Sequence, residues 1–246
     1  LLIGLMMIPL QDIMNDAREY DISAFTHPGG SSLNEDSCKF LGALIRRCRL
    51  KTVLEFGSGF SSIIIANEIK HSKDHLLVSI ENYQYYSQAA QQYFINYGIK
   101  ANVRFNTFPL RPRLYHRQML LSYAIPPAFW SNFNKFDLVL IDAPQHDFGR
   151  ESVFYEAFQR LKVGGIAVVD DSNREFMEMI YAKKWKQLFG DAIEMTLLKN
   201  IGTGLNVIVK LEETPMGRNF SKYNILTSYL RSARNFYRVL MYNNVH

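Results

Sequence analysis

Apolar and polar positions along this chain follow two rhythms that exchange places several times. From Asn34 to Arg49, Phe40, Leu41, Leu44 and Ile45 recur at helical spacing. Lys51–Phe56 (KTVLEF) is a short β-branched and apolar run closed by Gly57-Ser58-Gly59, and Phe60–Lys70 predicts an isoleucine-rich helix. Leu76–Ile80 predicts a second strand ending at Glu81. Tyr83–Tyr97 predicts an amphipathic helix with Tyr86, Ala90, Tyr93, Phe94 and Tyr97 on its core side, and Asn102–Thr107 a third strand. Strand and helix in alternation are the pattern of a parallel α/β sheet.

The rhythm breaks over Phe108–Lys135, where Pro109, Pro112, Pro126 and Pro127 predict a long crossover with one helix. It resumes at Phe136–Ile141 (FDLVLI), a continuous apolar run and hence a strand buried on both faces. Phe154, Ala157, Phe158 and Leu161 give the next helix its stripe, Gly164-Gly165 ends it, and Ile166–Val169 is the following strand. A helix over Arg174–Phe189 precedes two strands, Ile193–Leu198 and Leu205–Leu211, whose five-residue connection from Asn200 to Gly204 suits an antiparallel hairpin. Ser221–Tyr242 is a final helix or helix pair outside this unit, with Leu226, Leu230, Phe236, Tyr237 and Leu240 available for docking. No internal repeat or low-complexity tract interrupts the chain, so 1–49 reads as a helical lead, 50–211 as the folded unit and 212–246 as a basic helical extension.

Composition adds bounds. The 246 residues are 48% apolar and 21% charged, as expected of a globular domain with a two-sided core. Cys38 and Cys48 lie ten residues apart on one helix, about 15 Å, too far to pair, which fits a reducing, cytoplasmic setting. Leu1–Leu10 is an apolar run shorter than the roughly 20 residues that span a bilayer. It reads as a docking helix, or as the stump of an anchor that would give peripheral membrane contact. Lys100–Arg117 and Arg218–His246 contain no acid and hold ten positive charges against a net of +5, so the remainder sums to −5. Two basic segments on an acidic body fit an anionic substrate, nucleic acid or an acidic membrane surface.

In an open parallel sheet, ligands bind outside the carboxyl ends of the strands. Those ends carry Glu55 with Gly57-Ser58-Gly59-Phe60-Ser61-Ser62, then Glu81-Asn82, Thr107, Asp142 and Asp170-Asp171. A tight glycine turn admits close backbone approach, and Glu81 can accept hydrogen bonds from both hydroxyls of a ribose. Ser62 stands where a dinucleotide fingerprint requires glycine, and Glu55 suits a cationic ligand better than a pyrophosphate.

VLEFGSGFSS, SIEN, FDLVLIDAP and LKVGGIAVVDD, in that order from about Leu50 to Lys210, resemble the motifs of class I S-adenosylmethionine-dependent methyltransferases, nearest in pattern to small-molecule O-methyltransferases. The resemblance implies a Rossmann-like three-layer sandwich with a seven-stranded sheet of order 3-2-1-4-5-7-6, the last strand antiparallel. It implies that Glu55 and Gly57–Gly59 line the amino-acid part of S-adenosylmethionine, with Ser61 and Ser62 in the cofactor-binding set. Glu81 would hold the ribose, Asn82 and the Thr107-Phe108 turn would flank the adenine, and Asp142 would lie near the sulfonium and the substrate. Asp142, Asp170 and Asp171 are similar to the metal-binding acids of Mg²⁺-dependent O-methyltransferases, although Gln145 stands where the catechol-type enzymes have a lysine; their alternative role is to cap the next helix and face solvent. Asp142 and His146 are the catalytic candidates, His27 and His116 weaker bases, and Arg150 either binds an anionic substrate group or pairs with a neighbour such as Glu151. The expected partner is a small molecule, anionic or polyhydroxyl, and the chain could form a homodimer. The reaction expected is O-methylation; the rivals are N-methylation of a small amine, RNA modification and a non-catalytic binding module. Asp142-Ala143-Pro144-Gln145 lacks the Asn-Pro-Pro-Tyr type tetrad of amino-methylating enzymes, and no RNA-binding module is present, so nucleic acid is the weaker partner.

Overall fold

The computed structural model describes residues 9–30, 32–115, 117–145, 150–174, 178–214 and 222–243. His146, His116 and most of the Leu1–Leu10 run lie outside the described residues. The main sheet contains β1 (Thr52–Phe56), β2 (Leu76–Glu81), β3 (Val103–Thr107), β6 (Phe136–Ile141), β7 (Leu161–Val169), β8 (Ile193–Leu198) and β9 (Leu205–Lys210), in the order β3-β2-β1-β6-β7-β9-β8. Counted within this sheet the order is 3-2-1-4-5-7-6, as expected. β1, β2, β3, β6 and β7 are mutually parallel, while β9 runs antiparallel to both β7 and β8. The parallel strands therefore deliver their carboxyl ends to one edge.

Side chains alternate across these strands and feed two cores. Val53, Leu77, Leu138 and Leu140 pack on the face covered by α2 (Glu35–Cys48) and α3 (Phe60–Ile69). Leu54, Phe56, Val78, Val139 and Ile141 pack on the other, against α6 (Glu151–Arg160) and α7 (Glu178–Phe189). α4 (Gln84–Asn96) adds Tyr93 and Phe94 to the first face. α2 starts where Asn34 accepts the Asp36 N–H at 2.9 Å and stops where Arg49 turns left-handed. Cys38 and Cys48 are both free thiols.

α1 (Leu10–Glu19) lies on α2, with Ile13 buried and Arg47 paired to Asp16 at 2.5 Å. Tyr20, just beyond it, donates its hydroxyl to Glu68 at 2.5 Å and lies under Arg46. A Cβ at Gly42 would fall inside the Tyr20 ring. Gly42→Ala is expected to cost about 1–3 kcal/mol by over-packing this seam, measurable as a lower urea midpoint; an unchanged midpoint would mean that the ring yields freely.

Three expectations need correction. Phe108–Lys135 is no plain crossover. It holds a two-stranded antiparallel ribbon, β4 (Leu110–Tyr115) with β5 (Gln118–Tyr123), followed by the short α5 (Pro127–Trp130). Leu161 does not end the preceding helix but begins β7, which absorbs Gly164 at φ +79° through a register irregularity opposite Phe136 and Leu138. Finally, the terminal helix α8 (Lys222–Asn243) docks on the ribbon with the opposite face from the one expected. Ser228, Ser232, Asn235 and Val239 are buried, whereas Leu226, Leu230, Tyr237 and Leu240 are exposed; of the five residues expected to dock, only Phe236 packs on the core.

Candidate active site

The turn after β1 brings chemistry to the sheet edge. Gly57 has φ +109°, and a Cβ there would sit 2.9 Å from the Ala143 Cβ, so both conformation and space demand glycine. Its N–H donates to the Ile80 carbonyl at 2.8 Å, tying the turn to β2. At Gly59 a Cβ would meet nothing within 4 Å, which leaves open space beside the turn.

Glu81 ends β2 and is 4% exposed. One carboxylate oxygen accepts the N–H groups of Asn82 (2.6 Å) and Tyr83 (3.0 Å), the other that of Ser58 (3.1 Å). Burial pushes its pKa up, and the three backbone donors pull against that shift. Asn82 is half-buried beside it. Thr107 is exposed and Phe108 half-buried at the end of β3, where the Phe108 N–H donates to the Glu81 carbonyl at 2.9 Å.

Glu55 is placed differently from a ligand-lining group. It is fully buried, and its carboxylate accepts the hydroxyls of Ser61 (2.6 Å), Ser62 (2.5 Å) and Ser79 (2.6 Å). Ser62 in turn accepts the Gly59 N–H at 3.1 Å, so Glu55 braces the glycine turn from inside. Ser79 escaped the sequence reading. It stands opposite Glu55 in the β1–β2 register, and its signal was a lone hydroxyl within LLVSIE. Burial raises the Glu55 pKa from 4.5 to about 7, against the three hydroxyls. Between those values the folded state holds a proton that the unfolded chain has released. Stability is therefore highest below 4.5 and declines as pH rises through 7, by about 3 kcal/mol. Glu55→Gln is expected to remove that decline, read from urea midpoints across this window; parallel profiles of wild type and variant would contradict it.

Past β6 and β7 the remaining acids converge. Asp142, Asp170 and Asp171 bring carboxylate oxygens within 4.8 Å of one another. Asp170 and Asp171 are 5% and 7% exposed, so they do not face solvent as capping acids would. Between the acids lies Arg150, itself 4% exposed. Its guanidinium reaches Asp142 Oδ1 at 3.3 Å and Asp171 Oδ2 at 3.2 Å, and donates to the carbonyls of Asp170 (3.2 Å) and Pro144 (3.0 Å). Arg174 adds a second guanidinium to Asp171 at 3.0 Å, and Thr203 donates to Asp170 at 3.3 Å. Burial raises the pKa of Asp142 and of Asp170; Arg150 opposes the shift in both, and the neighbouring acids add to it.

This arrangement does not fit Mg²⁺. A divalent ion needs unencumbered oxygens, and here a fixed guanidinium already bridges two of the three acids and would repel a dication beside it. Arg150 is thereby engaged internally and is not presented to a substrate anion. Glu151, its other suggested partner, pairs with Lys184 at 2.9 Å. His27 is also engaged, one ring nitrogen against the Leu33 carbonyl (2.8 Å) and the other accepting the Gly29 N–H (3.0 Å), so it is a structural residue rather than a base.

Tyr123, at the end of β5, is a further candidate that the sequence did not mark, because its strand was unrecognised. It is 1% exposed, its ring lies 5.4 Å from Phe56, and its buried hydroxyl has no hydrogen-bond partner among the described residues. Burial, then the Glu81 and Asp142 carboxylates, push its pKa up while Arg150 opposes them, so the hydroxyl keeps its proton.

Residues 54–172, which contain the glycine turn and all of these acids, match a family model described as a methyltransferase domain. This segment is similar to a methyltransferase domain. Its fold has close company among solved structures. The O-methyltransferase from Bacillus cereus in complex with SAH is 15% identical, with 83% of this chain and 93% of that one covered and a TM-score of 0.56. The O-methyltransferase TomG from Streptomyces achromogenes, in complex with SAM, is 18% identical over 82% and 89%, with a TM-score of 0.57. A methyltransferase from Geobacter sulfurreducens is 16% identical over 83% and 90%, with a TM-score of 0.53. No curated protein matches the sequence. At such identities the likeness shows the Rossmann-like fold alone.

Proposed function

We propose that the chain transfers the methyl group of S-adenosylmethionine to a hydroxyl of a small molecule. The observation that carries this is the convergence of the glycine turn, Glu81 and Asp142 on one sheet edge, with open space beside Gly59 and an unsatisfied hydroxyl on Tyr123. Such an acidic edge suits a cationic nucleoside. Gly57–Gly59 would seat the amino-acid end, held in shape by Glu55 through Ser61 and Ser62. Glu81 would take the ribose hydroxyls, Asn82 and Thr107-Phe108 the adenine, and Asp142 would hold the electropositive centre in line with the acceptor. Bound S-adenosylmethionine supplies an activated methyl group.

The chain's own contribution is mainly alignment, worth up to about 7–11 kcal/mol for well-oriented reactants. A hydroxyl acceptor must also release a proton. Asp142, whose carboxyl burial favours in its protonated form, would receive it, and His146 is the second candidate. Arg150 would fix the Asp142 carboxylate in place, without Mg²⁺.

The test is transfer from methyl-labelled S-adenosylmethionine to single hydroxyls, vicinal diols and amines, with and without chelator. Labelled ethers, formed at the same rate with chelator present, are the expected products. Transfer to amines alone would replace the hydroxyl reading, and loss of turnover with chelator would overturn the metal-free centre.

A further inference from the structure

α8 turns an apolar face outward. Leu226, Tyr229, Leu230, Ala233, Tyr237, Leu240 and Met241 recur at spacings of three and four, and all are exposed, Leu226 at 62%, Leu230 at 68% and Tyr237 at 63%. The inward face is the more polar one, where Ser228 accepts the Met119 N–H of β5 at 3.1 Å beside buried Ser232 and Asn235. Helices that pack on a protein body bury the opposite selection of residues. Exposed Arg234 and Arg238 follow one border of the outward stripe, with Arg231 half-buried beside them, and the adjoining β4 adds exposed Arg111 and an exposed Leu114.

Charge selects the occupant. The chain from Arg218 to His246 contains no acid. A second copy meeting this face through its own α8 would set arginines against arginines, with no carboxylate on the helix to answer them. An anionic bilayer answers both features, since headgroups take the arginines and the acyl boundary takes the stripe. The helix has 22 residues, about 33 Å, and would lie in the membrane plane. Among the described residues no helix is long and apolar enough to cross a membrane.

We infer that α8 seats the protein on an anionic lipid surface, independently of the reaction it performs. The experiment is flotation of the full chain with vesicles of phosphatidylcholine alone or mixed with phosphatidylglycerol. Wild type should partition onto the anionic vesicles at least about tenfold better than onto neutral ones, and high salt should weaken it. A Leu226→Ser, Leu230→Ser, Tyr237→Ser triple variant should lose that binding by about tenfold or more while its circular dichroism and S-adenosylhomocysteine binding stay unchanged. Should the triple variant fail to fold, Arg234→Glu with Arg238→Glu decides, because it leaves the stripe intact and reverses the border. Equal flotation with both vesicle types, no flotation, or retention by the folded triple variant or the charge-reversed one would overturn the inference. So would a wild-type dimer that the triple variant lacks.

Discussion

Replacing Arg150 with alanine is expected to lower the unfolding free energy by about 3–5 kcal/mol near neutral pH, the usual cost of breaking a buried ion pair from one side. The guanidinium is 4% exposed and holds Asp142, Asp171 and two carbonyls at 3.0–3.3 Å, so its loss leaves buried acceptors without a donor. The deficit should depend on pH with a definite sign. Asp142 and Asp170 already have raised pKa values in the folded state, and Arg150 opposes that rise in both. Without it they rise further, the folded state holds protons that the unfolded chain releases, and the variant regains stability as pH falls toward the ordinary carboxylate range. Arg150→Lys keeps one charge but not the planar fork, and should fall between the two. The variant should also gain stabilisation by added Mn²⁺ through the vacated acids, and the wild type should not. Urea unfolding near pH 7 and near pH 5, with and without Mn²⁺, reads all of this. An alanine variant as stable as wild type at neutral pH would show that the triad needs no resident cation.

The second large effect is on ligand affinity. Glu81→Ala should weaken S-adenosylhomocysteine binding by about ten- to a hundredfold, since a hydrogen bond to a charged group contributes about 1.5–3 kcal/mol. Three backbone N–H groups already bond this carboxylate, and about four acceptor positions are available to it, so it meets a ligand hydroxyl without releasing the turn. Removing it also frees the Ser58 N–H and slackens the glycine loop. The measurement is the dissociation constant of each protein for S-adenosylhomocysteine; variants equal to wild type would detach Glu81 from the site.

The strand ends were legible in the sequence because each is a local event. An apolar run stops at a glycine turn or an acid, and parallel pairing then carries all of them to one edge. The sheet order followed from the motif resemblance, and the reversal of β9 from the short loop before it. What stayed hidden was non-local. The ribbon was masked by Pro112, which the lone β4–β5 pair tolerates where a central strand would not. Periodicity grouped Leu226, Leu230, Tyr237 and Leu240 on one face of α8 but could not say which face turns inward. Glu55 looked like a ligand residue because its three serine partners meet it only after β1, β2 and α3 pack. Arg150 looked like a surface anion binder because the acids that enclose it lie eight, 20 and 21 positions away, on other strand ends.

This sheet edge is expected to hold S-adenosylmethionine. Equilibrium dialysis of the wild-type chain against methyl-labelled S-adenosylmethionine tests it most directly, with excess S-adenosylhomocysteine as competitor. One bound ligand per chain, displaced by the competitor and retained with chelator present, is the expected result. Label that stays evenly distributed across the membrane at millimolar ligand would contradict the account and leave the fold as a scaffold without its cofactor.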